Sequence, residues 1–143
     1  MVKRIVLFGV CFLLLTGFIG NYSAVATTSK QEIIVEPFWE NAALISLDMT
    51  FSNGTITSTG TVTGKSGTTA ISATFVLAQR NANGTFTEVD RWTARNGNVA
   101  FLLTTSRTTR NLSAGTYRLS VTASVTRNGR IETVNGNHSA TFR

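Results

Sequence analysis

The sequence predicts an all-β fold of about seven antiparallel strands, closed into a sandwich or a barrel. Three observations point there. Apolar and polar residues alternate with period two over most of the chain after Ala43, the pattern of a half-buried strand. Asn-Gly dipeptides and Asn/Gly clusters punctuate these runs at roughly the 8 to 12 residue spacing of turns in such folds. No window after Ala26 spaces its apolar residues for a helical face over a useful length, so no helix is expected there.

The chain opens with Lys3 and Arg4, an uncharged apolar run from Ile5 to Ile19, and then Ala24-Val25-Ala26. Cations, apolar run and small residues in that order are the layout of a secretory signal, here cut after Ala26. The run is shorter than the roughly 20 residues that cross a bilayer core as a helix. Residues 1–26 are therefore expected to be a removed signal, and the protein to be secreted, extracellular or associated with the cell wall. Cys11, the single cysteine, lies within the run and follows Val10, which does not fit a lipid attachment site. Residues 27–143 then contain no cysteine and form no disulfide. A domain of this size can bury about 65% of its unfolded surface without covalent help.

Residues 27–41, TTSKQEIIVEPFWEN, read as an extended leader to one domain at 42–143. Ile33, Ile34 and Val35 suit an edge strand, Pro37 is tolerable only at such an edge, and Phe38 and Trp39 are expected to cover the rim. The first full strand places Ile45, Leu47, Met49 and Phe51 on its inner side, and Asn53-Gly54 accepts the positive φ angles of a hairpin turn. The next run, TITSTGTVTG, sets Thr55, Thr57, Thr59, Thr61 and Thr63 on a solvated face.

That run continues into Gly64-Lys65-Ser66, letters that suggest a phosphate-binding loop. Such a loop needs four residues between its first glycine and Gly-Lys-Ser and a helix behind it. Here Thr59 stands where glycine is required, only three residues separate Gly60 from Gly64, and another strand follows. The segment reads as a strand and a turn, and no nucleotide is expected to bind.

The third run points Ile71, Ala73, Phe75 and Leu77 inward and ends at Asn81-Ala82-Asn83-Gly84. In TFTEVDRWTAR the alternation slips between Phe86, Val89 and Trp92, which a β-bulge on an edge strand restores. Asn96-Gly97-Asn98 turns the chain into a run with Val99, Phe101 and Leu103 on one side, and Ser106 to Asn111 reads as a longer loop. The clearest alternation is Tyr117, Leu119, Val121, Ala123 and Val125 against Arg118, Ser120, Thr122, Ser124 and Thr126, with Asn128-Gly129 as a hairpin tip. The last run passes Ile131, Val134, Ala140 and Phe142 and is broken by Asn135-Gly136-Asn137. Simple pairing across the tip would set Glu132 opposite Val125, a poor fit inside a core, so the tip is expected to project beyond it or to shift its register.

The stretch from Leu112 to Ala123, with Gly115 and Tyr117, resembles the tyrosine corner of immunoglobulin-like and fibronectin type III-like domains. The resemblance implies an antiparallel immunoglobulin-like sandwich in which Tyr117 opens the penultimate strand and bonds back to the preceding turn, Gly115 permits that turn, and Leu112 plugs the core. The cysteine pair of antibody domains is missing, and the inward tryptophan of that fold is not obvious unless Trp92 or Trp39 substitutes. The leader together with LAQRNANGTFTEVDRWTA and GTYRLSVTASVTRNGRIETV is similar to small secreted proteins of Gram-positive bacteria that carry no assigned activity. That likeness implies export and fold, and transfers no catalytic or ligand residue.

Catalytic chemistry finds little to work with. His138, the single histidine, sits beside glycine and asparagines and reads as a solvated loop residue. No Gly-x-Ser-x-Gly elbow presents a serine to it and to Asp48 or Asp90. One histidine, no cysteine and dispersed acids make a poor zinc site, and no cofactor is expected. Glu88 and Asp90, expected on one face, could serve glycoside cleavage as a pair, but a charged edge that deters strand addition is the plainer reading. Trp39, Trp92, Phe86 and Phe38 could stack on sugars if exposed; core or rim positions suit them better. Arg91 beside Trp92 is too little for nucleic-acid binding. Asn53, Asn83, Asn111 and Asn137 begin Asn-x-Ser/Thr triplets, which turn geometry accounts for.

Without Lys3 and Arg4, the 13 basic residues fall to 11 against 7 acidic, a net charge of +4. Arginines dominate the later half, and Arg91, Arg118, Arg127 and Arg130 are the candidate contacts for an anionic partner. The sequence thus suggests a non-enzymatic binding or structural module at or near the bacterial cell surface, partnered by an anionic wall polymer or another surface protein. The alternatives are a small secreted effector, an inhibitor or a carboxylate-based hydrolase.

Overall fold

The computed structural model describes residues 26–36, 38–96 and 99–143. Residues 1–25, which hold Cys11 and all of the proposed signal but Ala26, lie outside them, as do Pro37 and the Gly97-Asn98 step. The described residues are all-β and form nine strands: β1 (Thr27–Thr28), β2 (Glu32–Ile34), β3 (Ala42–Ser52), β4 (Thr55–Gly64), β5 (Thr68–Arg80), β6 (Phe86–Arg95), β7 (Leu102–Thr109), β8 (Gly115–Arg127) and β9 (Arg130–Phe142). Seven are long, as the alternation predicts, and the leader supplies two short ones. Every pairing is antiparallel, in two sheets. One runs β1-β3-β4-β7 with β2 also on β3, and the other runs β6-β5-β8-β9.

The inner faces of the two sheets form one core. Ile45, Leu47 and Met49 of β3 and Ile56 and Val62 of β4 meet Phe75, Leu77, Leu119, Val125 and Phe142 from the facing sheet, all of them fully buried. Each buried aliphatic or aromatic side chain contributes about 1.5–3 kcal/mol. Two glycines let large side chains through. A Cβ on Gly60 would lie 2.2 Å from Phe75 Cε1, so the Phe75 ring rests on the bare β4 backbone. On its other side it stacks on Trp92, with ring centroids 5.3 Å apart. A Cβ on Gly136 would lie 2.7 Å from Ile34 Cδ1, so the leader docks its one half-buried aliphatic residue against β9.

The turns follow their residues. Asn53 and Gly54 have φ of 49° and 68°, and Asn128 and Gly129 have 50° and 74°, the left-handed pairs that close two-residue hairpins. The bulge expected in β6 falls at Val89, because Leu77 pairs Asp90 while Ala78 pairs Glu88. The stretch Gly60–Thr69 is the end of β4, a turn, and the start of β5. There Thr68 donates its N–H, and its hydroxyl, to the Lys65 carbonyl.

Four expectations are corrected. Ser106 to Thr109 is not loop but the second half of β7, whose ladder with β4 runs through Ile56↔Thr109 and gives these polar residues backbone partners. β7 begins only at Leu102, leaving Val99 and Phe101 exposed ahead of it while Leu103 is buried. Asn135-Gly136-Asn137 does not interrupt β9, because the ladder to β8 continues through it. The β8–β9 hairpin does not shift its register: Val125 and Glu132 are direct partners, with Val125 buried.

Candidate functional site

His138 is the first surprise. It is a strand residue, not a solvated loop residue: on β9 opposite Leu119, it shares the inward parity of Val134 and Phe142 and is buried. The leader closes over it. His138 Nε2 lies 2.9 Å from Ser29 Oγ, and Nδ1 lies 3.9 Å from Glu32 Oε2. Hydroxyl, imidazole and carboxylate in that order have the connectivity of a nucleophile relay. Ser29, however, is already committed. Its Oγ accepts the Met49 N–H at 3.2 Å and stands 2.9 Å from the Met49 carbonyl, which also takes the Ser29 N–H at 2.9 Å. The Nδ1 to carboxylate separation is also too long for a direct hydrogen bond. The cluster's evident work is to fasten leader to body. Sequence reading missed it because period two through Asn135-Gly136-Asn137 was the only signal that His138 faces inward.

Three of the acids, Glu88, Asp90 and Glu132, are taken up by structure. The bulge at Val89 sends Glu88 and Asp90 to different surroundings rather than to one face. Glu88 pairs with Arg91 at 2.6 Å, and that hydrogen bond and charge hold its carboxyl below the usual range. Asp90 accepts from Arg107 Nε at 3.0 Å and the Thr109 hydroxyl at 2.8 Å, bridging the open edges of the two sheets. Burial raises its pKa, but these bonds and the Arg91 N–H outweigh it and hold the group low. Glu132 resolves the misfit expected of it. Its carboxylate accepts the backbone N–H of Glu40 and Asn41 at 2.7 Å and of Ala42 at 3.0 Å. Burial again opposes ionisation, and the three amides, with Lys65 nearby, overcome it and lower the pKa. Among the described residues, no group of three or more His, Cys, Asp or Glu is placed to hold a metal ion.

Tyr117 is fully buried at the start of β8 and donates its hydroxyl to the Ser113 carbonyl at 2.6 Å. Burial pushes its pKa up. Leu112 packs half-buried against the core, and its N–H donates to the Gly54 carbonyl at 2.8 Å. Gly115 is the first residue of β8, at φ 158°, a backbone conformation that favours glycine, and Asn111, earlier in the same turn, is left-handed at φ 62°.

The four candidate arginines do not share one patch. Arg91 and Arg118 lie on the outer face of the β6-β5-β8-β9 sheet, Arg91 on Glu88 and Arg118 over the Phe86 ring at 4.0 Å. Arg127 and Arg130 flank the β8–β9 tip, and Arg127 Nε donates to the Ser66 carbonyl. Nine residues of strand, about 30 Å, separate Arg118 from Arg127. Of the four aromatics considered for sugars, Trp39 and Trp92 pack against the core, Phe86 lies under Arg118, and Phe38 is 90% exposed rather than covering the rim.

What the surface offers instead is flat and hydroxylic. The β4 threonines stand in a row beside β7, with Thr57–Thr108, Thr59–Ser106 and Thr61–Thr104 paired across the strands. Surface hollows are shallow and open, such as the one lined by Arg80, Asn81, Asn83 and Thr116. Comparison with protein-family models, characterised proteins and solved structures finds no match.

Proposed function

We propose that the protein is an exported, non-enzymatic binding or structural module that acts at or near the bacterial cell surface, on an immunoglobulin-like sandwich. One observation carries the reading: the described side chains best suited to chemistry are spent on architecture. His138 fastens the leader, Glu132 caps three amides, Asp90 bridges two sheet edges and Glu88 neutralises Arg91. The faces left over are broad, hydroxyl-bearing and unobstructed, which suits contact with an extended partner rather than turnover of a small one. The finer fold assignment draws on Tyr117 in the penultimate strand and on β6 pairing β5 rather than β7, the latter a departure from the constant-type arrangement of antibody domains.

The test is fractionation of cells and medium, followed by retention of the purified exported protein on isolated envelope. Recovery in the medium or envelope, with retention on envelope above an unrelated β-sandwich, is the expected result. Recovery only in the cytosol, or hydrolysis of envelope polymer by the purified protein, would defeat the proposal.

A further inference from the structure

The two ends of the sandwich differ in kind. Among the described residues, the exposed large apolar side chains are Ile33, Val35, Phe38, Val99, Phe101, Leu102 and Ile131. All but Ile33, which sits one row in, belong to the end that carries the starts of β3, β7 and β9. Hydrogen bonds knit that end into one rim. Phe101 O accepts the Gly64 N–H, Lys65 reaches the Trp39 carbonyl, and the Asn41 side-chain amide donates to Arg130 O. The opposite end, formed by the Asn53-Gly54 turn, the Asn81–Gly84 loop and the segment before β8, exposes no large apolar side chain among the described residues.

Apolar groups gathered at one end of a folded domain mark a contact surface. Here they rise on three separate excursions of the chain: Phe38, at 90% exposure, in the leader; Phe101, at 52%, before β7; and Ile131, at 72%, beside the β8–β9 tip. Cations stand among them: Arg95 and Arg130, and Lys65 and Arg127, which also donate to the Trp39 and Ser66 carbonyls. The acids at this end are Glu36, Glu40 and Glu132, and the Glu132 carboxylate is turned onto backbone amides. A protein partner would have to match the profile of three apolar side chains from separate segments of that rim, whereas fluid hydrocarbon accepts such side chains at any spacing. Basic residues beside them suit anionic headgroups.

We propose that this end docks on the surface of an anionic lipid bilayer, with Phe38, Phe101 and Ile131 entering the headgroup boundary and Lys65, Arg95, Arg127 and Arg130 meeting lipid phosphates. This deepens the cell-surface reading and rests on export. The test is flotation of the exported protein with vesicles of phosphatidylglycerol and phosphatidylcholine, against vesicles of phosphatidylcholine alone. Preferential binding to the anionic vesicles is expected, weakened by Phe38→Ser and by Phe101→Ser about tenfold each and by high salt. Both side chains are exposed, so circular dichroism of the variants should match the parent. Failure to float with anionic vesicles at low salt, or binding unchanged in the Phe38→Ser/Phe101→Ser double variant, overturns the proposal. So does concentration-dependent dimerisation lost in the same variants, which would give the end to a second copy. Retention on delipidated envelope without vesicle binding would sink this inference alone and leave the broader reading standing.

Discussion

The Glu132 carboxylate on β9 accepts the Asn41 N–H at 2.7 Å, reaching from one sheet to the chain entering the other. A charged residue opposite Val125 is tolerated because it does not enter the core. It serves the amides where the leader becomes β3, and the Asn41 side chain returns the connection by donating to the Val125 and Arg130 carbonyls.

Glu132→Ala leaves three amides without this acceptor and should lower stability by about 2–3 kcal/mol, with Glu132→Gln costing less. The pH dependence has a defined sign. The folded-state pKa values of Glu132 and Asp90 are both depressed, so their stabilisation is present above the unfolded carboxylate value of about 4 and is lost as pH falls through the lower folded values. Denaturant titrations from pH 6 to 2 should show stability falling at the acid end, with a shallower fall in Glu132→Gln. An equal slope in the two proteins would remove Glu132 from the account.

Tyr117→Phe should cost about 1 kcal/mol, the worth of a single hydrogen bond to the Ser113 carbonyl, and leave the fold unchanged. Thermal unfolding followed by circular dichroism measures it. Tyr117→Ala, which also empties a fully buried aromatic site, should cost about 3–5 kcal/mol. If the two variants were equally damaged, the hydroxyl and not the ring would be the anchor.

How far the sequence was legible follows from which residues obey a local rule. Period two located the inner residues of β3, β4, β5 and β8, and Asn-Gly located both tight hairpins, because facing and left-handed φ are decided within a few residues. The bulge at Val89 was visible because the alternation slips there. Ser106 to Thr109 was not read as strand, since polar residues enter a ladder only when a partner such as β4 is at hand. His138 and Glu132 were misjudged for the same reason: their partners, Ser29 and the amides of residues 40–42, lie 109 and about 90 positions away. The paired arginines and the apolar end are properties of assembled strands, which no single run displays.

Gly60→Ala places a methyl group where the Phe75 ring already lies, and overpacking of this sort costs about 1–3 kcal/mol or more. Phe75→Leu would open a cavity under Trp92. Combined, the two changes should cost less than the sum of their separate losses, because the shorter side chain frees the volume the methyl needs. A double-mutant cycle by urea denaturation checks this, and strict additivity would mean that Gly60 is not there to admit the Phe75 ring.

The first stretch of the leader, residues 27–34, is held less firmly than the rest. β1 and β2 contribute five residues of ladder to β3, most of their side chains are exposed, and the inward fastenings are Ser29 on His138 and Ile34 on Gly136. A segment with few buried contacts opens at lower free energy than the core strands. Ser29→Ala removes the hydroxyl that accepts the Met49 N–H and meets the imidazole, at a cost of about 1 kcal/mol. Amide exchange in residues 27–34 and at Met49 should then quicken by roughly fivefold, while amides of β5 and β8 keep their protection. Hydrogen exchange resolved by residue separates this outcome from a general loss of stability, in which β5 and β8 would quicken equally. That second pattern would make Ser29 part of the core's cooperative unit rather than the clasp of a separately opening strand.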